Sequence, residues 1–313
     1  MNELISVIMS TYNEEEAWLR KSVESILCQT YTNFEFLIVL DNPQNAAIKE
    51  VLQEYGRQDS RIRLIYNEEN IGLVRSLNKA LGQAGGTLIA RMDADDISYP
   101  DRLELEYRAM KERQADFVMG TVDYINEKEV IDTHTFEKEY YGSAFARILK
   151  AGNISAHPTW LVKREVYDRL KGYRPVECCE DLDFVLRALQ AGYTCLRMQK
   201  HILAYRMRST GVSRSRTLEQ FLTMRYIRRI YRRGKSLEAV TQEDWTSDFK
   251  KVTGRQAEKF DRALQLFWQG KEELGQKHYG SFAAKSVKSM MKSRYFFQYF
   301  WDNVIWMISV KVI

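Results

Sequence analysis

Short apolar runs alternate with amphipathic stretches through the first 125 residues of the chain. Five runs have the length of strands and are apolar at nearly every position: 4–10, 34–40, 62–66, 87–92 and 116–122. Such runs are typical of parallel strands that are covered on both faces. The stretches between them, at 14–29, 43–58, 72–84 and 100–114, carry apolar residues at helical spacing. We therefore predict an α/β fold built on a doubly wound, mostly parallel sheet.

The pattern becomes less regular after residue 140 and changes again after residue 210. Residues 154–170 predict a strand that runs into a helix, residues 178–193 predict a helix that begins with acids, and 194–199 and 202–208 predict two more strands. Beyond about 215, long helical patterns rich in basic and aromatic residues replace the strand signals. We predict a first domain over 1–210, with halves at about 1–125 and 126–210, and a helical C-terminal region over 211–313.

Polar residues follow four consecutive predicted strands, at the point where each strand ends. They are "STYNE" (10–14), Asp41-Asn42, "NEENIG" (67–72) and "DADD" (93–96). In open α/β sheets, ligands bind outside the carboxyl ends of the strands. We expect these four polar segments to converge on one crevice.

The aspartates of "DADD" suggest how a diphosphate would be held in that crevice. The sequence contains neither a Gly-x-x-x-x-Gly-Lys-Ser/Thr loop nor a Gly-x-Gly-x-x-Gly turn after the first strand. A divalent cation between carboxylates and phosphate oxygens is another solution, and hard oxygen ligands favour Mg²⁺ or Mn²⁺. The alternative interpretation is a solvated turn that caps a helix near Ser98.

A second acidic cluster, Glu180-Asp181 with Asp183 two residues on, also has two interpretations. One of its carboxylates is a candidate general base. Alternatively, acids at a helix start are favoured by the helix dipole alone. His157, before a proline, is by itself more often structural than substrate-binding. No nucleophile motif is evident, so covalent catalysis has little support.

Six motifs occur in an order that resembles the family-two glycosyltransferases of the GT-A fold, of the type found in bacterial capsule, lipopolysaccharide and exopolysaccharide synthesis. The resemblance runs from about Ile5 to Ser213. It is carried by "SVIMSTYNEE", "LIVLDN", "NIGLVRSLNKAL", "IARMDADDISYPDRLE", "AHPTWLVKREVY" and "ECCEDLDFVLRALQAGY".

The resemblance implies an inverting, metal-dependent enzyme that transfers one sugar, expected to be a hexosyl group. The donor is a nucleoside diphosphate sugar, with uridine favoured, and the acceptor a glycan or a lipid-linked sugar. Asp95 and Asp93 would bind Mn²⁺ or Mg²⁺, Asp181 would be the catalytic base, and Glu180 and His157 would line the acceptor side. The positions matched to nucleotide binding are Ser10, Tyr12, Glu14, Asp41, Asn70, Asn78 and Asp93.

Three features depart from the family pattern. Asp41 is followed by Asn42-Pro43 in place of the usual acid- or serine-rich turn, and Arg208 stands where relatives often carry histidine. The Gln-x-x-Arg-Trp signature of processive synthases is absent, so one sugar per encounter is expected. The role of Arg208 stays open.

Charge is unevenly distributed, although the net charge of the 313 residues is only +5. Residues 200–233 hold ten Lys/Arg against one acid, Glu219. The basic, aromatic segments 225–235 and 285–313 either lie on an anionic membrane surface or pack on the core. With no signal peptide and no apolar run of membrane-spanning length, we expect a cytoplasmic protein. The first of the two alternatives would place it on the inner face of the membrane.

Two other function classes fit the sequence less well than glycosyl transfer. A metal-dependent nucleotidyltransferase would need a basic, Gly-rich loop after the first strand, where "STYNEEE" is acidic. A basic nucleic-acid-binding protein would set acidic strand ends against a phosphate backbone. No nucleic-acid partner is therefore expected.

Overall fold

The computed structural model describes residues 3–134, 138–176, 178–208, 217–241, 244 and 252–312. The chain divides into two compact units. The first unit comprises residues 1–146, 155–175 and 180–209, and the second comprises 147–154, 176–179 and 210–313. The predicted boundary near 210 and the expected end of the family resemblance at 213 lie outside the described residues.

The first unit is built on one sheet with the order β3-β2-β1-β4-β9-β6-β10-β5. Strands β1 to β4 pair in parallel, β6 and β10 pair in parallel, and β9 lies antiparallel between β4 and β6. Strands β7 and β8 add to β6 and β10. The strands are β1 (Ile5–Thr11), β2 (Phe34–Leu40), β3 (Ile62–Tyr66), β4 (Leu88–Asp93), β5 (Ile97–Ser98), β6 (Phe117–Ile125), β7 (Ile131–His134), β8 (Tyr140–Tyr141), β9 (Trp160–Lys163) and β10 (Cys195–Arg206).

Helices cover the sheet, and both faces of its central strand are buried. Ile5, Val7 and Met9 of β1 share a core cluster with residues of α1 and α2, while Ile8, on the opposite face, is also fully buried. The helices are α1 (Glu16–Leu27), α2 (Ala46–Gln58), α3 (Leu73–Gln83), α4 (Arg102–Glu112), α5 (Gly142–Ala151), α6 (Arg164–Leu170) and α7 (Glu180–Gln190), with a 3₁₀ turn at His157–Thr159. The predicted α/β class is confirmed, and the sheet is mixed, because β9 lies antiparallel between its parallel parts.

The topology places a crevice at the carboxyl ends of β1 and β4. The chain adds β2 and β3 on one side of β1 and then returns to add β4 on the other side. This reversal is the point where open α/β sheets bind ligands. In the register of the two strands, Ser10 lies beside Asp93, so the polar ends of β1 and β4 come together.

The predicted strands at 194–199 and 202–208 are wrong as separate elements, because they form the single strand β10. The exposed Gln199 and Lys200 interrupt the apolar pattern. Pairing with β6 nevertheless continues across that interruption, with register shifts between Arg197 and Leu203. A bulge of this kind lets a strand accommodate polar residues without ending.

The second unit is helical. It contains α8 (Thr217–Arg232), α9 (Gly254–Gly275), α10 (Tyr279–Lys292) and α11 (Arg294–Val312). Its core cluster is formed by Leu218, Phe221, Phe260, Ala263 and Phe296. Among the described residues, no helix combines the length and the apolar character that crossing a bilayer requires.

Candidate functional site

The turn after β1 is held by the carboxylate of Glu14. One of its oxygens accepts hydrogen bonds from the Thr11 hydroxyl (2.7 Å) and from the Tyr12 backbone amide (2.8 Å). Ser10 is partly exposed at the strand end, and the Tyr12 side chain is 42% exposed. The turn therefore presents Ser10 and Tyr12 at the crevice, while Glu14 fixes its shape.

Asp41, directly after β2, anchors the segment between β3 and α3. Its buried carboxylate accepts hydrogen bonds from the Asn67 amide (2.7 Å) and from the backbone amides of Ile71 (2.9 Å) and Gly72 (2.8 Å). Gly72 also receives support from Asn70, whose side-chain oxygen accepts from the same amide at 3.0 Å. The structure gives Asp41 and Asn70 a shared role in shaping this loop, and contact with a nucleotide stays a prediction for both.

Three carboxylates meet where β4 ends. Asp93, Asp95 and Asp96 each place one oxygen within 4.8 Å of the others. Asp95 and Asp96 are buried, and so is Ser98, which belongs to β5 instead of capping a helix. The alternative hypothesis of a solvated, helix-capping turn is therefore wrong, because the sheet continues past the aspartates and covers them.

Two arginines form ion pairs with this cluster, and a third donates hydrogen bonds to it. Arg91 of β4 forms an ion pair with Asp93, and the Nε of Arg208 lies 2.6 Å from Oδ2 of Asp95. Arg206 donates its backbone amide to Asp96 and its Nε to the carbonyl of Asp95, both at 2.8 Å. The residue whose role the sequence left open, Arg208, thus lies at the acidic cluster.

The cluster remains electrostatically strained in spite of these arginines. Burial and the neighbouring charge of Asp93 raise the pKa of Asp95 to about 6, although Arg208 opposes the shift. Burial, followed by the charge of Asp95, also raises the pKa of Asp96. Oδ2 of Asp96 is buried without a hydrogen-bond partner among the described residues. Close carboxylates, raised pKa values and an unsatisfied oxygen fit a hard divalent cation.

A second pair of carboxylates lies in the first turn of α7. Glu180 and Asp181 are both partly buried. Burial, followed by the charges of Asp181 and Asp93, raises the pKa of Glu180 to about 7, while Arg91 opposes the shift. Glu180 is therefore within electrostatic reach of the end of β4, which links the two acidic clusters.

Asp183 fixes the position of α7. Its carboxylate is buried and forms ion pairs with Arg174 and, at 2.8 Å, with Arg187. Arg187 also donates to the carbonyls of Leu170 and Gly172, each at 2.9 Å. The third acid of the motif is thus structural, and it holds the helix start that carries the other two.

His157 and Asn78 meet at Tyr173. Nε2 of His157 lies 2.9 Å from the Tyr173 hydroxyl, and the imidazole packs against Trp160. Burial and the charge of Arg91 lower the pKa of His157 well below its usual range, which favours the neutral form. Asn78 donates from Nδ2 to the Tyr173 carbonyl at 2.8 Å, and its Oδ1 accepts from the Tyr173 backbone amide at 2.9 Å. Their predicted contacts with acceptor and nucleotide stay predictions; both residues help to position the loop before α7.

Sequence reasoning missed four residues that organise this site: Arg91, Arg206, Tyr173 and the structural role of Asp183. A signal existed for Arg91, since an arginine inside a buried strand beside three acids needs a partner. Asp183 and Arg187 are four residues apart on a helix, and this spacing predicts an ion pair between them. Nothing local to "AYRMR" or "KGYRP" indicates that Arg206 and Tyr173 reach distant segments.

Several known proteins are similar to this chain in sequence. A family model described as Glycosyl transferase family 2 matches residues 6–171. "Uncharacterized glycosyltransferase MJ1057" of Methanocaldococcus jannaschii is 36% identical over 224 residues, which span 71% of this chain and 77% of the relative. "O-antigen biosynthesis glycosyltransferase WbnJ" of Escherichia coli is 34% identical over 188 residues, with 60% and 72% covered.

The name of a further relative states its donor, its acceptor and the linkage that it forms. "UDP-Glc:alpha-D-GlcNAc-diphosphoundecaprenol beta-1,3-glucosyltransferase WfgD" of Escherichia coli is 35% identical over 128 residues, or 41% of this chain and 49% of the relative. Among solved structures, S. aureus TarS 1–349 in complex with UDP aligns with a TM-score of 0.58 at 17% identity, and the alignment covers 85% of this chain and 79% of TarS. That likeness supports the GT-A-like fold. The family match over residues 6–171 and the relatives together establish that this chain is a glycosyltransferase and belongs to glycosyl transferase family 2.

Proposed function

We propose that the chain transfers one hexosyl group, with inversion, from a nucleoside diphosphate sugar to an acceptor hydroxyl in surface polysaccharide synthesis. The observation that carries the proposal is the meeting of three carboxylates at the end of β4, Asp93, Asp95 and Asp96, within electrostatic reach of Glu180. A uridine diphosphate sugar is favoured, in line with the UDP-bound TarS structure and the donor in the name of WfgD.

We assign the donor to the carboxyl ends of β1, β2 and β4. Ser10, Tyr12 and the loop anchored by Asp41 would hold the nucleoside, and Asp93 and Asp95 would hold Mn²⁺ or Mg²⁺. When bound, the cation supplies positive charge to the diphosphate as it leaves. Arg208, already 2.6 Å from Asp95, would add a second, permanent cation beside the leaving group.

We assign proton removal to Asp181. The acceptor oxygen forms the new bond to the anomeric carbon, the bond from that carbon to the diphosphate breaks, and the acceptor proton passes to the Asp181 carboxylate. One displacement inverts the anomeric centre, so an α-linked donor gives a β-linked product. Glu180, with a pKa raised to about 7, is partly protonated at neutral pH and suited to donate a hydrogen bond to the acceptor.

We further propose that residues 1–210 form the catalytic domain and that 211–313 form a helical region with another task. A glycan or lipid-linked acceptor is consistent with the diphosphoundecaprenol acceptor in the name of WfgD. The protein would then work in the cytoplasm, peripheral on the inner face of the membrane.

The proposal is tested by calorimetric titration of UDP into the purified protein with Mn²⁺, with chelator, and on an Asp95→Ala variant. We expect binding that needs the metal and weakens at least about tenfold in the variant, as loss of a ligand carboxylate implies. The control is Asp168→Asn, since Asp168 is an exposed acid whose side chain is 67% exposed. Equal binding in all three conditions would contradict the donor assignment.

The stereochemical part needs a separate assay. A panel of nucleoside diphosphate sugars is incubated with acceptor, and the anomeric configuration of the product is read from its proton coupling in NMR. An α-linked product from an α-linked donor would rule out the single displacement, whatever the result of the UDP titration.

A further inference from the structure

A groove of about 540 Å³ in the second unit is lined by six arginines and one acid, Asp302. Four of the arginines lie on α8, one follows it directly, and one begins α11. They are Arg225, Arg228, Arg229, Arg232, Arg233 and Arg294. We call this feature the arginine groove.

Part of the arginine groove is rigidly held by the protein. Arg228 is 6% exposed and donates from Nη1 to the carbonyl of Ala151 at 2.6 Å. Arg232 donates from Nε to the carbonyl of Lys150 at 2.6 Å, and Arg225 lies 3.1 Å from Asp302. These contacts fix three of the guanidinium groups, and Asp302 is the one acidic residue among those that line the groove.

The remaining three arginines are exposed at the groove: Arg229, Arg233 and Arg294. Arg229 lies over the ring of Tyr226 at 5.2 Å, and Arg294 lies over Tyr295 at 4.7 Å. Clustered like charges repel, so the arrangement is stabilised by an anion. Guanidinium groups bind phosphate oxygens through paired hydrogen bonds, which makes phosphate the ligand class that fits best.

An apolar stripe runs along α11 beside the groove. Phe297, Trp301, Ile305, Ile308 and Val312 follow each other at spacings of three and four residues, and each is between 47% and 79% exposed. The same helix contributes Arg294, Tyr295, Gln298 and Asp302 to the groove. A basic surface next to exposed aromatic and aliphatic side chains is typical of helices that lie in an anionic lipid interface.

We propose that the arginine groove binds phosphate groups of anionic lipids at a bilayer surface, with the apolar stripe of α11 seated in the interface. The proposal commits to lipid-borne phosphate because the stripe adjoins the groove on one helix. It rests on the peripheral location proposed above, but not on sugar transfer. Failure of vesicle binding and failure of UDP binding are therefore separate results.

The test is sedimentation of the full chain with phosphatidylcholine vesicles that contain either no anionic lipid or about one third phosphatidylglycerol. The groove variant replaces three exposed arginines with glutamine: Arg229, Arg233 and Arg294. Each basic residue near an anionic surface contributes about fivefold to partitioning. We expect the partition coefficient to fall at least about tenfold in the groove variant and to be low for neutral vesicles with either protein.

A matched control removes three exposed positive charges of the second unit that lie outside the groove lining: Arg255, Arg262 and Lys288. We expect it to keep vesicle binding within about threefold of the unmodified protein. Unchanged binding of UDP by the groove variant shows that the first unit is intact.

Three results would overturn the proposal. Equal losses in the groove variant and in the control would mean that only the general charge of the protein matters. Equal binding to neutral and anionic vesicles would mean that the net negative charge of the lipid headgroup does not matter. Inorganic pyrophosphate is titrated against both proteins in the absence of lipid. Pyrophosphate binding that depends on the groove, with vesicle binding unchanged, would assign the groove to a soluble phosphate ligand instead.

Discussion

Replacement of Arg208 by glutamine is expected to strengthen binding of Mn²⁺ to the protein in the absence of nucleotide. In the structure the Nε of Arg208 lies 2.6 Å from Oδ2 of Asp95, so the arginine occupies the carboxylate that we assign to the metal. It also places a positive charge beside the incoming cation. Both effects disappear in the variant.

The size of the expected change in Mn²⁺ affinity follows from the solvent exposure of the Arg208–Asp95 ion pair. The Arg208 side chain is 29% exposed and that of Asp95 is 10% exposed, so solvent screens the interaction in part. A hydrogen bond to a charged group contributes about 1.5–3 kcal/mol, and we take the lower end. Since 1.4 kcal/mol is a factor of ten, the dissociation constant for Mn²⁺ should fall about tenfold.

The measurement is electron paramagnetic resonance of free Mn²⁺ at pH 8. The pKa of Asp95 is about 6 with the lowering effect of Arg208 included. Loss of Arg208 therefore raises this pKa further, and protons compete more strongly with the metal in the variant. The gain in affinity should therefore shrink at pH 5.5. Arg20→Gln is the control, because Arg20 pairs with Glu16 and Glu54 on the surface. Unchanged or weaker Mn²⁺ binding at pH 8 would refute this account of Arg208.

Three other predictions concern the acids and the frame of α7. Asp181→Asn should lower the rate of sugar transfer by about 10²–10⁴-fold, while its affinity for UDP, measured by calorimetry, stays within about threefold of that of the unmodified protein. A parallel loss of transfer rate and UDP affinity would contradict the role of Asp181 as the base. Glu180→Gln should raise the free energy of unfolding, measured in urea, by about 2 kcal/mol at pH 8 and by little at pH 5. The pKa of Glu180 is raised to about 7 in the folded protein. The cost of its carboxylate to folding therefore grows from about pH 4.3, the ordinary glutamate pKa, to about pH 7, and is constant above that. Arg187→Met should lower the free energy of unfolding by about 3 kcal/mol, because it leaves the Asp183 carboxylate buried without one of its partners. A surface pair such as Arg20–Glu16 is expected to contribute about 1 kcal/mol or less. A loss as small as that in Arg187→Met would contradict the prediction.

Apolar pattern was enough to locate the parallel half of the sheet. The predicted strands at 34–40 and 62–66 coincide with β2 and β3 in both bounds. Buried parallel strands are apolar on both faces, and the helices between them have a different period, so each element is marked by its own residues. The short strands β5, β7 and β8 have two to four residues, and a signal of that length cannot be separated from loop.

The antiparallel half of the sheet depends on pairing between distant segments. β9 inserts between β4 and β6, and β10 bridges its polar interruption because β6 and β8 lie beside it. A strand held by its neighbours tolerates residues that an isolated stretch would place in a loop. The sequence alone therefore predicted a break at 200–201 that the sheet does not make.

The candidate site also has one part that the sequence predicts and another that depends on the fold. The carboxylates after β4 and at the start of α7 were recognisable, because acids at strand and helix ends are local features. Their distant partners were not, since Arg206 ends β10, Arg208 follows it, and both are more than 100 positions from Asp95 and Asp96 in the chain. Sequence determined which groups are present, and the tertiary structure decided which arginine neutralises which acid, because long-range ion pairs form only when the sheet brings the strand ends together.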